Sequence, residues 1–146
     1  NKVVHFEVPY DDVDRATEFY KNVFNWNINA IPEMNYHTVH TVDIDENNMP
    51  KESGAINGGM YKRGEGSAKG PVIVIDVESV DEHVSKVEGA GGKVVRGKVQ
   101  VGDMGYYAQV EDTEGNVIGI WEMIKKESEG GDEPVSEGVE SSEDSG

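Results

Sequence analysis

The sequence predicts an α+β protein in which two tandem β-α-β-β-β modules form one curved mixed sheet around a concave pocket. Two similar strand-like runs, residues 3–8 and 72–77, open the two halves of the chain. Each run is followed by an amphipathic helical pattern and then by three further strand candidates. A half of about 60 residues is marginal alone, so we expect both halves to share one core.

The first module opens with a strand of alternating character at residues 3–8. Apolar residues then recur at helical spacing after Asp11 and Asp12, either of which can cap the start of a helix. Strand candidates follow at residues 26–31, 36–43 and 54–61.

The second module repeats this order. Ser79 and Glu82 form a capping-box pattern at the start of its helix, and a pair of glycines after the helix ends it. Strand candidates follow at 93–96, 106–111 and 117–122, and the segment Asp112-Thr113-Glu114-Gly115-Asn116 is typical of a hairpin turn.

Aligning the two modules assigns equivalent positions. Superimposing the opening strands places His5 on Val74, and superimposing the final strands places Tyr61 on Glu122. Since the strands of one module should repeat those of the other, these pairs are the positions at which the two modules should be compared for metal-binding or catalytic side chains.

The charge excludes several classes of partner. The 146 residues hold 13 Lys and Arg against 29 Asp and Glu, a formal net charge of −16, and no cysteine. Nucleic acid and anionic membranes both need clustered basic residues, so neither is expected as a partner. Disulfides and thiolate metal sites are excluded, and no long apolar run indicates a membrane span. We expect a cytoplasmic protein.

The acidic residues divide the chain into a domain and a tail. Residues 127–146 contain eight acidic residues and no Lys or Arg, with two valines as their only aliphatic side chains. Such a segment cannot bury enough apolar surface to fold, so we expect a disordered tail. The remaining residues, 1–126, form a single domain with modules at about 1–63 and 70–126 and a glycine-rich linker at 64–70.

Strand alternation predicts which side chains face the pocket. In the first strand the apolar residues share one face, which we place under the helix, so that His5 points to the concave side. In the last strand the same reasoning turns Glu122 inward and Trp121 under the helix. An imidazole and a carboxylate that converge in this way suit zinc, nickel, iron or manganese. A polar residue with a purely structural role is the alternative at each position.

The duplication, the histidine in the first strand, the glutamate in the last, and the turn at residues 112–116 resemble the vicinal oxygen chelate superfamily. This group includes glyoxalase I, the fosfomycin and bleomycin resistance proteins and the extradiol dioxygenases. The resemblance covers residues 1–125 and is nearest to small glyoxalase-related proteins. It implies metal ligands on the first and last strand of each module, here His5, Tyr61, Val74 and Glu122. Valine is no ligand and tyrosine is an uncommon one, so we expect a weakly bound divalent metal or none.

The resemblance leaves two functions open. The first is a glyoxalase-related enzyme of lyase or isomerase type, in which His5 and Glu122 are both metal ligands and catalytic groups. The second is a metal-free protein of resistance type that binds a small molecule or drug. Under either, Tyr61, His40 and Tyr106 are candidate substrate-binding residues. We expect a homodimer, which is common for small open sheets.

Overall fold

The computed structural model describes residues 1–64 and 68–124. They form two α-helices, α1 (Val13–Phe24) and α2 (Val80–Gly89), and a short 3-10 helix at Pro32–Met34. The eight strands are β1 (Val3–Tyr10), β2 (Asn27–Ile31), β3 (Tyr36–His40), β4 (Gly58–Lys62), β5 (Val72–Asp76), β6 (Lys93–Val101), β7 (Gly105–Glu111) and β8 (Val117–Met123). The predicted tail and residues 65–67 of the predicted linker lie outside the described residues.

The strands form one mixed sheet in the order β2-β3-β4-β1-β5-β8-β7-β6. Within each module the first strand pairs in parallel with the last, β1 with β4 and β5 with β8. The modules join where β1 pairs antiparallel with β5. The predicted fold class, an α+β protein with two modules and one mixed sheet, is therefore confirmed.

Both helices begin where a side chain caps them. Asp12, one of the two candidates, accepts a hydrogen bond from the backbone N–H of Arg15 at 3.0 Å. Ser79 accepts one from the backbone N–H of Glu82 at 3.1 Å. Each cap satisfies a backbone donor that a helix N-terminus leaves without a partner. None of the helices in the described part of the chain is long and apolar enough to cross a membrane.

The helices cover one face of the sheet. Helix α1 packs on a cluster around Val39 and Met60, and α2 packs on a cluster around Val110 and Ile120. We call the opposite face, which points away from both helices, the inner face. A third cluster lies there and consists of Ala68, Val72, Val74 and Tyr107, with Val101, Val117 and Trp121 against it.

The pairing register corrects the predicted alignment of the opening strands. Glu7 lies beside Gly59 on β4, and Val74 lies beside Gly119 on β8. Where β1 meets β5, His5 pairs with Val74 and Glu7 pairs with Val72. When one module is superimposed on the other so that these strand pairs coincide, Glu7, rather than His5, falls on Val74. The error of two residues leaves side chains on the same face, because strand side chains alternate with period two.

The final strands differ from the prediction by one residue. Tyr61 pairs with Tyr36 on β3, and Trp121 pairs with Tyr107 on β7. Tyr61 is thus equivalent to Trp121 and not to Glu122. A one-residue slip moves every side chain of a strand to the other face, and this slip determines where Glu122 points.

Candidate functional site

A buried glutamate lies at the centre of the inner face. Glu7 is only 8% exposed. The hydroxyl of Tyr107 donates to its Oε1 at 2.6 Å, and the hydroxyl of Tyr36 donates to its Oε2 at 3.1 Å. Because Glu7 and Tyr36 come from the first module and Tyr107 from the second, the site joins the two halves of the protein.

Each tyrosine links Glu7 to a further polar side chain. Tyr36 gives its only proton to Glu7, so its oxygen accepts from Nε2 of His5, which lies 2.9 Å away. This bond places a proton on Nε2 of His5. On the other side, Nε2 of Gln109 donates to the hydroxyl of Tyr107 at 2.9 Å. Two hydrogen-bonded arms therefore converge on one carboxylate.

Two glycines give the tyrosine rings their space. A Cβ on Gly59 would overlap the hydroxyl of Tyr36, and a Cβ on Gly119 would lie 2.8 Å from the hydroxyl of Tyr107. These glycines occupy equivalent positions on β4 and β8. A tyrosine from the neighbouring strand therefore occupies the space on the inner face that a side chain at each of these glycine positions would fill.

The electrostatics keep the tyrosines protonated and His5 neutral. Burial, and next to it the charge of Glu7, raises the pKa of Tyr36, Tyr61 and Tyr107 above the ordinary tyrosine value. Burial lowers the pKa of His5, and Glu7 opposes this in part. The site therefore presents neutral hydroxyls and a neutral imidazole around one carboxylate near pH 7.

Two buried polar atoms of the inner face have no hydrogen-bond partner among the described residues. They are the hydroxyl of Tyr61, on a side chain 8% exposed, and Oε1 of Gln109, on one that is 2% exposed. Buried polar atoms are paired in most native structures, so such atoms call for an explanation. Here both belong to side chains that surround Glu7 and Tyr107.

Glu122 lies on the helix face, so the predicted convergence of His5 and Glu122 is wrong. Oε1 of Glu122 accepts from the backbone N–H of Val80, the first residue of α2, at 2.9 Å. Ile118 and Ile120, on the same side of β8, pack against the cluster under α2. The prediction placed Trp121 under the helix, but it contacts the inner cluster instead. Glu122 therefore binds a helix N-terminus, where a carboxylate is favourable.

The three predicted substrate-binding residues lie in different places. Tyr61 is on the inner face beside Tyr36. Tyr106 lies on the helix face, packed on the cluster under α2 with Nζ of Lys98 4.3 Å from its ring centre. His40 shares the side of Tyr36 but lies four residues further along β3, roughly 13 Å away. Of the three, Tyr61 is the one that the charge of Glu7 reaches.

Glu7, Gln109, Tyr36 and Tyr107 are site residues that the sequence analysis did not single out. The signal for Glu7 was present, because alternation places it on the same face as His5. Gln109 had no distinguishing signal, since its neighbours in β7 are ordinary strand residues.

The donor set does not fit a divalent metal held by three or four protein ligands. The inner-face neighbours of His5 and Glu7 on adjacent strands are Val72, Val74 and Gly59, none of which is a ligand. Within residues 1–64 and 68–124, no group of three or more His, Asp or Glu side chains could hold an ion. Both oxygens of Glu7 already accept tyrosine hydrogen bonds. Catalytic zinc sites use three protein ligands, and among the described residues His5 and Glu7 are the one imidazole and the one carboxylate that lie together here.

Comparisons with known proteins support the sequence resemblance. The sequence profile of the bleomycin resistance protein-like N-terminal family matches residues 2–41. No curated protein sequence matches the chain at a significant level.

Several solved structures share the fold. A variant of methylmalonyl-CoA epimerase from Streptomyces coelicolor, solved with 2-nitronate-propionyl-CoA, has a TM-score of 0.58 and 14% identity, covering 88% of this chain and 98% of its own. The epimerase from Mycobacterium tuberculosis has a TM-score of 0.54 and 14% identity, covering 84% and 87%. A glyoxalase/bleomycin resistance protein/dioxygenase superfamily member from Vibrio splendidus has a TM-score of 0.55 and 11% identity, covering 84% and 98%. The shared fold and the family match over β1, α1, β2 and β3 confirm the resemblance of this chain to the vicinal oxygen chelate superfamily.

Proposed function

We propose that the chain is a small-molecule-binding protein whose ligand occupies the inner face without a protein-held metal. The observation that supports this most directly is the pair of buried polar atoms without partners among the described residues, Oη of Tyr61 and Oε1 of Gln109. An unsatisfied buried polar group costs about 1–3 kcal/mol, and a ligand that bonds both atoms would recover that cost. The surrounding apolar and aromatic side chains, Val72, Val74 and Trp121, are of the kind that line small-molecule sites.

The choice against a metal enzyme rests on Val74 and Glu122, two positions at which the resemblance implies ligands, and on the neighbours of Val74 and Glu7 on the inner face. Val74 and Gly119 are neighbours on the second module's side of the sheet, and Gly59 occupies the equivalent place in the first module. Glu122, the second expected ligand, bonds the start of α2. A weakly bound divalent ion stays a prediction, as does the homodimer.

A fragment screen tests the binding function. Chemical-shift changes of the ¹⁵N-labelled protein would be recorded against a library of small aromatic and polar fragments, with EDTA present. We expect saturable shifts at amides of β1, β4 and β7, because these strands present Glu7, Tyr61 and Gln109. Absence of any saturable binding, or binding that appears only after zinc is added, would contradict the proposal.

The Tyr61→Phe variant makes this test specific. It removes one unpartnered hydroxyl and nothing else, so the free protein should be as stable as the wild type or more stable. Ligands that bond this hydroxyl should nevertheless bind more weakly. A conserved affinity together with a loss of stability would indicate a structural role for Tyr61 and no ligand contact.

A proton-transferring enzyme of lyase or isomerase type is the second candidate. The chain from His5 through Tyr36 to Glu7 favours it, since it connects a buried carboxylate to an imidazole by two hydrogen bonds. In this candidate Glu7, rather than Glu122, is the catalytic carboxylate, and it acts as the general base. An assay on the glutathione hemithioacetal of methylglyoxal, in EDTA, would test it: turnover should be lost in Glu7→Gln and kept in Glu122→Gln. Equal turnover in both variants, or no turnover in the wild type, would rule out this candidate.

A further inference from the structure

We propose that the ligand is an organic cation, a protonated amine or amidine on a small apolar body, whose charged head lies against Glu7 among the aromatic rings of the inner face. This inference rests on the proposed function and names its class of ligand. Three independent features of the site support it: its hydrogen-bond inventory, its uncompensated charge, and its aromatic walls.

Around Glu7, hydrogen-bond acceptors outnumber the donors that are still available. Both donor protons of the tyrosines beside Glu7 are used by the carboxylate. Most of what remains is acceptors: Oε1 of Gln109, which has no partner among the described residues, and the remaining lone pairs of Glu7. Nδ1 of His5 is a further acceptor in the neutral ring, and the second N–H of Gln109 is a donor. The hydroxyl of Tyr61 can either donate or accept. A ligand rich in N–H donors satisfies this set, whereas a carboxylate or phosphate would face acceptors with little to bind.

Within residues 1–64 and 68–124, the carboxylate of Glu7 has no cationic partner. The ion pairs of the described residues join Arg63 to Asp11, Lys93 to Glu111 and Lys98 to Asp81, and none includes Glu7. The charges of Arg63 and Arg96 do reach Tyr61. Arg63, however, already pairs with Asp11, and Arg96 is exposed to solvent. A buried negative charge without a counter-charge is costly, and a ligand cation would compensate it.

The walls of the site suit the same ligand. The three tyrosines around Glu7 stay protonated, so their rings are neutral π-systems, and Trp121 packs against the inner cluster that contains Tyr107. Aromatic faces attract ammonium and guanidinium groups, most strongly where water is excluded. The net charge of −16 adds a long-range attraction for cations and repels anions.

Three ligands of nearly equal shape test the proposal: benzylammonium, benzyl alcohol and benzoate. Each would be titrated into the wild-type protein at neutral pH and constant ionic strength, with affinities taken from ¹H–¹⁵N shifts. We expect benzylammonium to bind about tenfold or more tightly than benzyl alcohol, and benzoate to bind more weakly than either. Equal or weaker binding of benzylammonium overturns the cation proposal and leaves the proposed function standing.

Two matched variants test whether the preference for benzylammonium over benzyl alcohol depends on Glu7. Glu7→Gln should bring the affinities of benzylammonium and benzyl alcohol together, while Glu122→Gln, the same substitution on the helix face, should keep the wild-type ratio. An unchanged ratio in a folded Glu7→Gln protein overturns the proposal. If Glu7→Gln does not fold, the comparison of the three ligands in the wild type decides. Binding of none of them at millimolar concentration overturns the cation proposal, and the fragment screen above then decides the proposed function separately.

Discussion

Adjacent tyrosines on β7 provide a sharp test of the inner network. Tyr107 and Tyr106 differ in position by one residue but lie on opposite faces of the sheet. The hydroxyl of Tyr107 donates to Glu7 at 2.6 Å and accepts from Gln109 at 2.9 Å. Tyr106 packs on the helix side, with Lys98 over its ring. Replacing each by phenylalanine removes one oxygen and keeps the ring, so the pair isolates the contribution of the hydroxyl.

The expected loss of stability in Tyr107→Phe follows from the two hydrogen bonds that the Tyr107 hydroxyl makes. A hydrogen bond to a charged group contributes about 1.5–3 kcal/mol, and the amide of Gln109 left without an acceptor costs about 1–3 kcal/mol more. Partial relaxation reduces the sum, so we expect the free energy of unfolding to fall by about 3 kcal/mol. Tyr106→Phe should change it by less than about 0.5 kcal/mol, because the ring and its packing under α2 are kept.

Urea unfolding measures both values. With a slope of about 2 kcal/mol/M, Tyr107→Phe should lower the midpoint by about 1.5 M, with the slope itself unchanged. Tyr106→Phe should lie within about 0.3 M of the wild type. Similar small losses in both variants would mean that the Tyr107 hydroxyl does not bond a buried carboxylate, and the site built around Glu7 would have to be abandoned.

Three further predictions concern the other groups of the two faces. Burial lowers the pKa of His5 below its ordinary value of 6.5, so at acid pH the unfolded chain binds a proton that the folded protein does not. The free energy of unfolding, measured in urea, should therefore fall as the pH drops below about 6.5. The His5→Gln variant should show a weaker dependence on pH. Glu122→Ala removes the acceptor for the backbone N–H of Val80, so thermal unfolding should show that the free energy of unfolding falls by about 0.5–2 kcal/mol, as on loss of a helix cap. Ligand binding should be unchanged. Val74→His places a second imidazole beside His5 on the inner face, so isothermal titration should show a rise in zinc affinity over a weak wild-type value; tight stoichiometric binding by the wild type would contradict our assessment of the donor set.

The sequence alone determined the modules and most of their elements. Period-two and helical patterns are local signals, and the caps at Asp12 and Ser79 lie where the residue types predict a helix start. The duplication then indicated that the two halves share one sheet, because halves of this size need a common core. The alternation in β1 correctly placed His5 on the inner face. Three apolar residues share the other side of this strand, so the side that packs under the helix could be identified from the sequence.

Only the tertiary structure decided the content of the site. In β8 both faces contain apolar residues, so alternation could not say whether Trp121 or Ile120 lies under α2. The position of Glu122 depended on that choice. The network around Glu7 joins residues 100 positions apart in sequence, as in its bond with Tyr107, and it exists because glycines on two strands leave room for tyrosines from their neighbours. Such contacts depend on the lateral register of strands, a long-range property that no local sequence pattern encodes.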